Sequence, residues 1–187
     1  MKKTTNIIGY SLVEVLVAVA ILMLSIVGPM TIAVKGIQSA QYTKQQNTAF
    51  FLAQEGISII NAIRNNAELE VYTGLRTNAW FWVTHPSLAS CFTASGCNID
   101  FRDSTLLNNV VACSSSASAC NLHFSPTGGR ALYRVSGGTA TPFQRVITLT
   151  KVGADEVLVQ SEVKWNSKLL KGDRTVALNT SLFNLYK

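Results

Sequence analysis

Glu14 is the single charged side chain in a long apolar stretch near the N-terminus. The stretch runs from Tyr10 to Val34 and reads YSLVEVLVAVAILMLSIVGPMTIAV. An ionised acid inside a membrane-length apolar segment costs roughly 2.5–3.5 kcal/mol on insertion scales. Glu14 is therefore either an acid that reaches toward the membrane surface or an acid that has a cationic partner.

The segment 10–34 predicts a transmembrane helix rather than a secretory signal. A helix of this length crosses a hydrocarbon core of about 30 Å with some tilt. A secretory signal has a shorter apolar core and a small-residue cleavage site after it, and neither is found here. Lys2 and Lys3 precede the segment, so the positive-inside preference predicts a cytoplasmic N-terminus and an extracytoplasmic chain after Lys35.

Gly9 followed by Tyr-Ser-Leu-Val-Glu and an apolar helix resembles the prepilin signature of type IV pilins and type II secretion pseudopilins. The resemblance implies that residues 1–9 are a leader, which a membrane-embedded prepilin peptidase removes by cutting after Gly9. It also implies that the same enzyme methylates the new amine of Tyr10. The family usually has Phe where this chain has Tyr10, so we expect slower or unchanged processing rather than none.

The resemblance also supplies a cationic partner for Glu14, which matches the family's fifth-position acid. In related fibres, the acid of one subunit meets the terminal amine of its neighbour. An opposite charge within about 4–6 Å favours the ionised forms of both groups. We therefore expect Glu14 to dock on the Tyr10 amine of another subunit, with pairing inside its own chain as the alternative that the sequence leaves open.

Four cysteines lie in a Ser-rich polar region as two close pairs. Four cysteines allow three connectivities, and an extracytoplasmic location favours disulfides. Pairing within each short segment requires no knowledge of the fold, so it is the preferred interpretation over crossed pairing. A structural metal site favours closer C-x₂₋₄-C spacing and histidines, so we predict no metal. The two predicted disulfides are Cys91–Cys97 and Cys113–Cys120.

The sequence predicts no enzyme and no cofactor. His85 and His123 are the only histidines, and neither lies in a motif with an acid and a nucleophile. Catalytic triads assemble in space, so this prediction depends on the absence of a recognisable motif. The net charge of +6 leaves a nucleic-acid surface open, but the basic residues are scattered, which argues against one.

Hydrophobic periodicity divides the rest of the chain into a helix and a globular head. A long helix is predicted over 10–65, and its C-terminal part has an apolar stripe on a single face, which should pack on a sheet. Residues 66–128 are rich in Asn, Ser, Thr and Gly and predict a variable connection that carries the disulfides. The stripe consists of Ala49, Leu52, Gly56, Ile59, Ile60 and Ile63.

Residues 129–187 show the period of two that is typical of strands. They predict an antiparallel meander of about four strands. The resemblance to pilins implies an α+β pilin fold, in which the long helix packs on such a sheet. The cluster Trp80-Phe81-Trp82 in the head 66–187 is interpreted as cover for the edge of the core, with an exposed ligand platform as the alternative.

These features together favour a structural subunit, a minor pilin or pseudopilin, that assembles into a type IV pilus or a secretion filament. The resemblance implies three partners: the prepilin peptidase, other pilin subunits bound through the N-terminal helix, and an inner-membrane assembly platform. The subunit would begin in the cytoplasmic membrane and end in an extracytoplasmic filament. The alternative is a singly anchored extracytoplasmic binding or adhesion domain that uses the Trp/Cys region.

Overall fold

The computed structural model describes residues 11–100, 110–114, 118–127, 130–166 and 172–184. Within them the chain forms one α-helix, two 3₁₀ helices and seven strands, so the predicted α+β arrangement is confirmed. The chain divides into two compact units, residues 1–43 and Lys44–Lys187.

Helix α1 spans Leu12–Tyr72 and continues seven residues beyond the predicted end at 65. An ion pair between Arg64 and Glu68, four residues apart and 2.8 Å between charged atoms, stabilises these additional turns. The helix ends in a Schellman motif at Gly74, whose φ of 75° is accessible mainly to glycine. The amide of Gly74 donates to the carbonyl of Val71, and that of Leu75 donates to the carbonyl of Glu70.

The region 66–128, predicted to be irregular, contains regular elements, and this part of the prediction was wrong. Two 3₁₀ helices span Ala79–Thr84 and Pro86–Phe92. Three strands follow: β1 at Cys97–Ile99, β2 at Val110–Ala112 and β3 at Asn121–Thr127. Strands of three residues are too short to show a period of two, and distant pairing partners define them.

The four predicted strands are present as β4 at Arg130–Arg134, β5 at Thr139–Lys151, β6 at Glu156–Asn166 and β7 at Asp173–Phe183. Strands β5, β6 and β7 form the expected meander. Strand β4 departs from it, because it pairs with β3 and not with β5. Strand β5 pairs with β6, β3 and β1, and the described sheet has seven strands rather than about four.

The core of the second unit lies between the C-terminal part of α1 and the sheet. The whole predicted helix stripe is buried, which confirms that interpretation. Strand β6 contributes the alternating residues Val157, Val159, Val163 and Trp165, each at most 3% exposed. Trp82 is fully buried in the same core. Trp80 and Phe81 are partly buried and pack against that core. The tryptophans therefore belong to the core, and Trp82 forms no exposed platform.

Candidate functional site

The first candidate site is the apolar part of α1 between Leu12 and Ile37. Every large hydrophobic side chain there is exposed, from 46% at Val34 to 76% at Leu12. By length and composition this helix is able to cross a membrane. A soluble protein rarely exposes a continuous apolar patch of more than a few hundred Å². This surface therefore needs lipid or protein to cover it.

The residues of the prepilin-like motif are only partly visible. Gly9 and Tyr10 lie outside the described residues, so the cleavage site and the methylated amine stay predictions. Glu14 lies in the first turn of α1 and its side chain is exposed. Within the described part of the chain Glu14 has no ion-pair partner. Its docking role also stays a prediction.

The second candidate site is a buried polar network around Arg145 on β5. The Arg145 side chain is 1% exposed and its Nη1 donates to the Glu55 carboxylate at 2.8 Å. Its Nε donates to Asn98 Oδ1 at 2.9 Å, and its Nη2 donates to the carbonyl of Ile99 at 2.9 Å. Nη1 also lies 3.4 Å from the carbonyl of Leu52 on α1. One guanidinium therefore joins α1, β1 and β5.

Electrostatics explains how this cation is tolerated inside the core. Burial lowers the pKa of the Arg145 guanidinium, and the neighbouring carboxylates of Glu55 and Asp100 oppose that shift. Arginine stays protonated in proteins because its ordinary pKa lies far above neutral pH. A buried charge is stable only when it is paired and hydrogen-bonded, as Arg145 is here.

No role is predicted for Arg145 or Glu55 from the sequence, although strand β5 contains a signal for the position of Arg145. The inward positions of β5 alternate, and Phe143, Ile147 and Leu149 are buried on that face. Arg145 has the same parity as these residues, so strand periodicity alone places it inside. An inward arginine requires an acid, and Glu55 lies on α1 next to the buried stripe.

The disulfides join Cys91 to Cys97 and Cys113 to Cys120, which is the pairing that the short spacing predicted. The first bridge is buried in the core and links the second 3₁₀ helix to β1. The second bridge lies next to the arginine network. The carbonyl of Cys120 accepts from the amide of Arg145 at 3.0 Å and from Asn98 Nδ2 at 3.4 Å.

A cleft of about 560 Å³ lies beside the 3₁₀ helices and β5. Its lining includes His85, Phe92 and Lys151, together with several threonines. The Lys151 ammonium lies 5.3 Å from the centre of the Phe92 ring, which is within range of a cation–π interaction. His85 Nδ1 accepts from the amide of Ser87 at 3.3 Å. In the described residues His85 and His123 belong to no cluster of metal-ligand side chains.

No protein-family model, curated protein or solved structure matches this chain. The motif at the N-terminus and the geometry of the candidate sites are therefore the basis for a proposed function.

Proposed function

We propose that this chain is a structural subunit, a minor pilin or pseudopilin, of a type IV pilus or a secretion filament. The observation that carries the proposal is the exposed apolar surface of α1 between Leu12 and Ile37. The same helix, farther along, supplies the buried stripe of a disulfide-bonded α+β head. A segment of this kind can lie in lipid before assembly and against neighbouring helices afterwards.

The prepilin-like N-terminus supports a filament subunit over an ordinary membrane anchor. An anchor requires no acid in its apolar segment, whereas Glu14 is costly there unless it meets a cation. Removal of residues 1–9 would create such a cation at Tyr10. On this proposal, maturation creates the amine at Tyr10, and Glu14 of the same short segment docks on that amine of a neighbouring subunit.

A singly anchored binding domain is the second candidate function. The cleft between His85 and Lys151 favours it, since the lining combines a cation, hydroxyl groups and an aromatic ring. Within the Trp/Cys region predicted for this alternative, Trp82 is buried and is therefore not part of a binding surface.

Gly9→Val is the experiment that tests the proposal most directly. We expect the unaltered chain to lose residues 1–9 and to carry a methylated amine on Tyr10. Because only a very small residue suits the predicted cleavage site, the variant should keep its leader. Mass spectrometry of the intact chain from the membrane fraction measures both masses. Ala18→Val, inside the apolar segment, is the matched control and should be processed normally. Normal cleavage of Gly9→Val would refute the prepilin assignment.

A further inference from the structure

A groove on the head lies where α1 passes the β3–β4 hairpin, and its volume is about 380 Å³. Its surface is mainly apolar and aromatic, and Phe51 is 67% exposed while Leu132 is 37% exposed. One carboxylate, that of Glu55, lies in the lining. The lining residues are Thr48, Phe51, Leu52, Glu55, Leu132 and Tyr133.

The groove exposes the Glu55 carboxylate, although Glu55 also binds Arg145. The Arg145 side chain is 1% exposed and the Glu55 side chain is 38% exposed, so the acid is the half of the pair that reaches the surface. Arg145 contacts the Oε2 atom of Glu55. In the described part of the chain, no donor contacts the other carboxylate oxygen of Glu55. A carboxylate accepts several hydrogen bonds, so Glu55 can bind a second cation.

A surface of matching chemistry lies on α1 at the C-terminal end of the apolar segment. Lys35 is the only cation from residue 11 to residue 43. It borders a shallow hollow of about 380 Å³, whose other lining residues are uncharged. The lining residues are Val27, Met30, Thr31, Val34, Lys35 and Gln38.

We propose that the segment 27–38 of one copy of this chain docks in the Phe51–Leu132 groove of a second copy, with Lys35 bound to Glu55. The inference rests on the proposed function, because it names a subunit contact within the filament. Both surfaces are apolar around one charge, and the two charges are opposite. Apolar contact excludes water, which strengthens an ion pair that would contribute little to binding if it were exposed to solvent.

The test compares neutral substitutions in the full chain. Lys35→Gln and Glu55→Gln should each lower incorporation into sheared filaments about fivefold relative to the membrane pool. Glu55→Gln keeps an oxygen that can accept from Arg145. Because both changes remove the same contact, the double variant should lose no more than either single variant. Lys44→Gln, another exposed lysine on α1, is the control and should incorporate normally.

A photoreactive residue in place of Gln38, which lines the same hollow, measures the contact while keeping both Lys35 and Glu55. In sheared filaments it should crosslink to a second copy at 48–55 or 132–133. Crosslinks to a different protein or to another surface would overturn the proposal, as would losses that multiply in the double variant. If the chain with the photoreactive residue is cleaved and enters filaments, yet crosslinks elsewhere, only this contact fails. If the chain is neither cleaved nor incorporated, the proposed function itself fails.

Discussion

Arg145 shows how one side chain can organise a small core. Asn98 is also fully buried, and its Oδ1 accepts from both the Arg145 Nε and the amide of Ile99. The guanidinium contacts pair the Glu55 carboxylate with a cation and supply a donor to the carbonyl of Ile99. Losing the guanidinium would remove them, at roughly 1–3 kcal/mol for each group left without its donor.

Arg145→Met should therefore lower the free energy of unfolding by about 3 kcal/mol, because it keeps the side-chain length but removes every donor. Lys164→Met is the matched control. Lys164 pairs with Glu162 on the surface and its side chain is 51% exposed, so that change should cost about 1 kcal/mol or less. Denaturant unfolding of the full chain in detergent measures both. Equal losses would mean that the buried network adds nothing to stability.

The candidate residues could be predicted from the sequence to different extents. The cysteine pairs were predictable because each loop is short, and the position of Arg145 follows from the parity of β5. The contact between Arg145 and Glu55 was not predictable, because ninety positions separate the two residues and only the packing of α1 on the sheet brings them together.

At the scale of elements, the helix and the long strands were predictable, because their periods of 3.6 and 2 extend over many residues. The short strands were not. Strand β1 is fully buried and pairs with β2, and through Cys97 with Ile147 on β5, so no local alternation marks it. The predicted end of α1 is seven residues too early, because the charged turn before Gly74 has no apolar stripe.

Helix α1 lies close to β6 at Gly56. A Cβ added there would lie 2.3 Å from Ser161 Oγ and 3.1 Å from Ser161 Cβ. Gly56→Ala should therefore lower the free energy of unfolding by about 1–3 kcal/mol, despite the better helix propensity of alanine. Gly36→Ala is the control, because nothing lies within 4 Å of its added Cβ.

Thermal unfolding of the two glycine variants in the full chain measures this difference. Adding Ser161→Gly to Gly56→Ala removes both obstructing atoms and should recover part of the loss. A Gly56→Ala protein as stable as the Gly36→Ala protein would contradict the close packing of α1 on β6.

At the scale of the whole molecule, charge and apolar surface are unevenly distributed. Only 14% of the residues are charged, against about 25% in an average soluble domain. In the first unit Glu14 and Lys35 are the only charged residues of the described part. The head, by contrast, has a buried apolar core and its own disulfides. The chain therefore combines a disulfide-bonded head with a helical surface that requires a lipid or protein environment.

The role of Glu14 separates a filament subunit from an anchored binding domain. If Glu14 only lies near a membrane boundary, replacing it removes an expensive charge, and Glu14→Ala should insert as well as the unaltered chain or better. If Glu14 instead pairs with the Tyr10 amine of a neighbouring subunit, the same change leaves an unpaired cation in an apolar interface. Breaking a buried pair in this way costs about 3–5 kcal/mol, which is a hundredfold or more in an association constant.

We expect Glu14→Ala and Glu14→Gln to reach the membrane and to be cleaved after Gly9, but to be missing from filaments. Glu70→Gln is the control, since Glu70 lies on α1 outside the apolar segment and pairs with Arg76 on the surface, so it should incorporate normally. The measurement is the amount of each protein in sheared filaments relative to its membrane pool. Undiminished incorporation of both Glu14 variants would leave the acid without a docking role. The N-terminal helix would then be better explained as a plain membrane anchor.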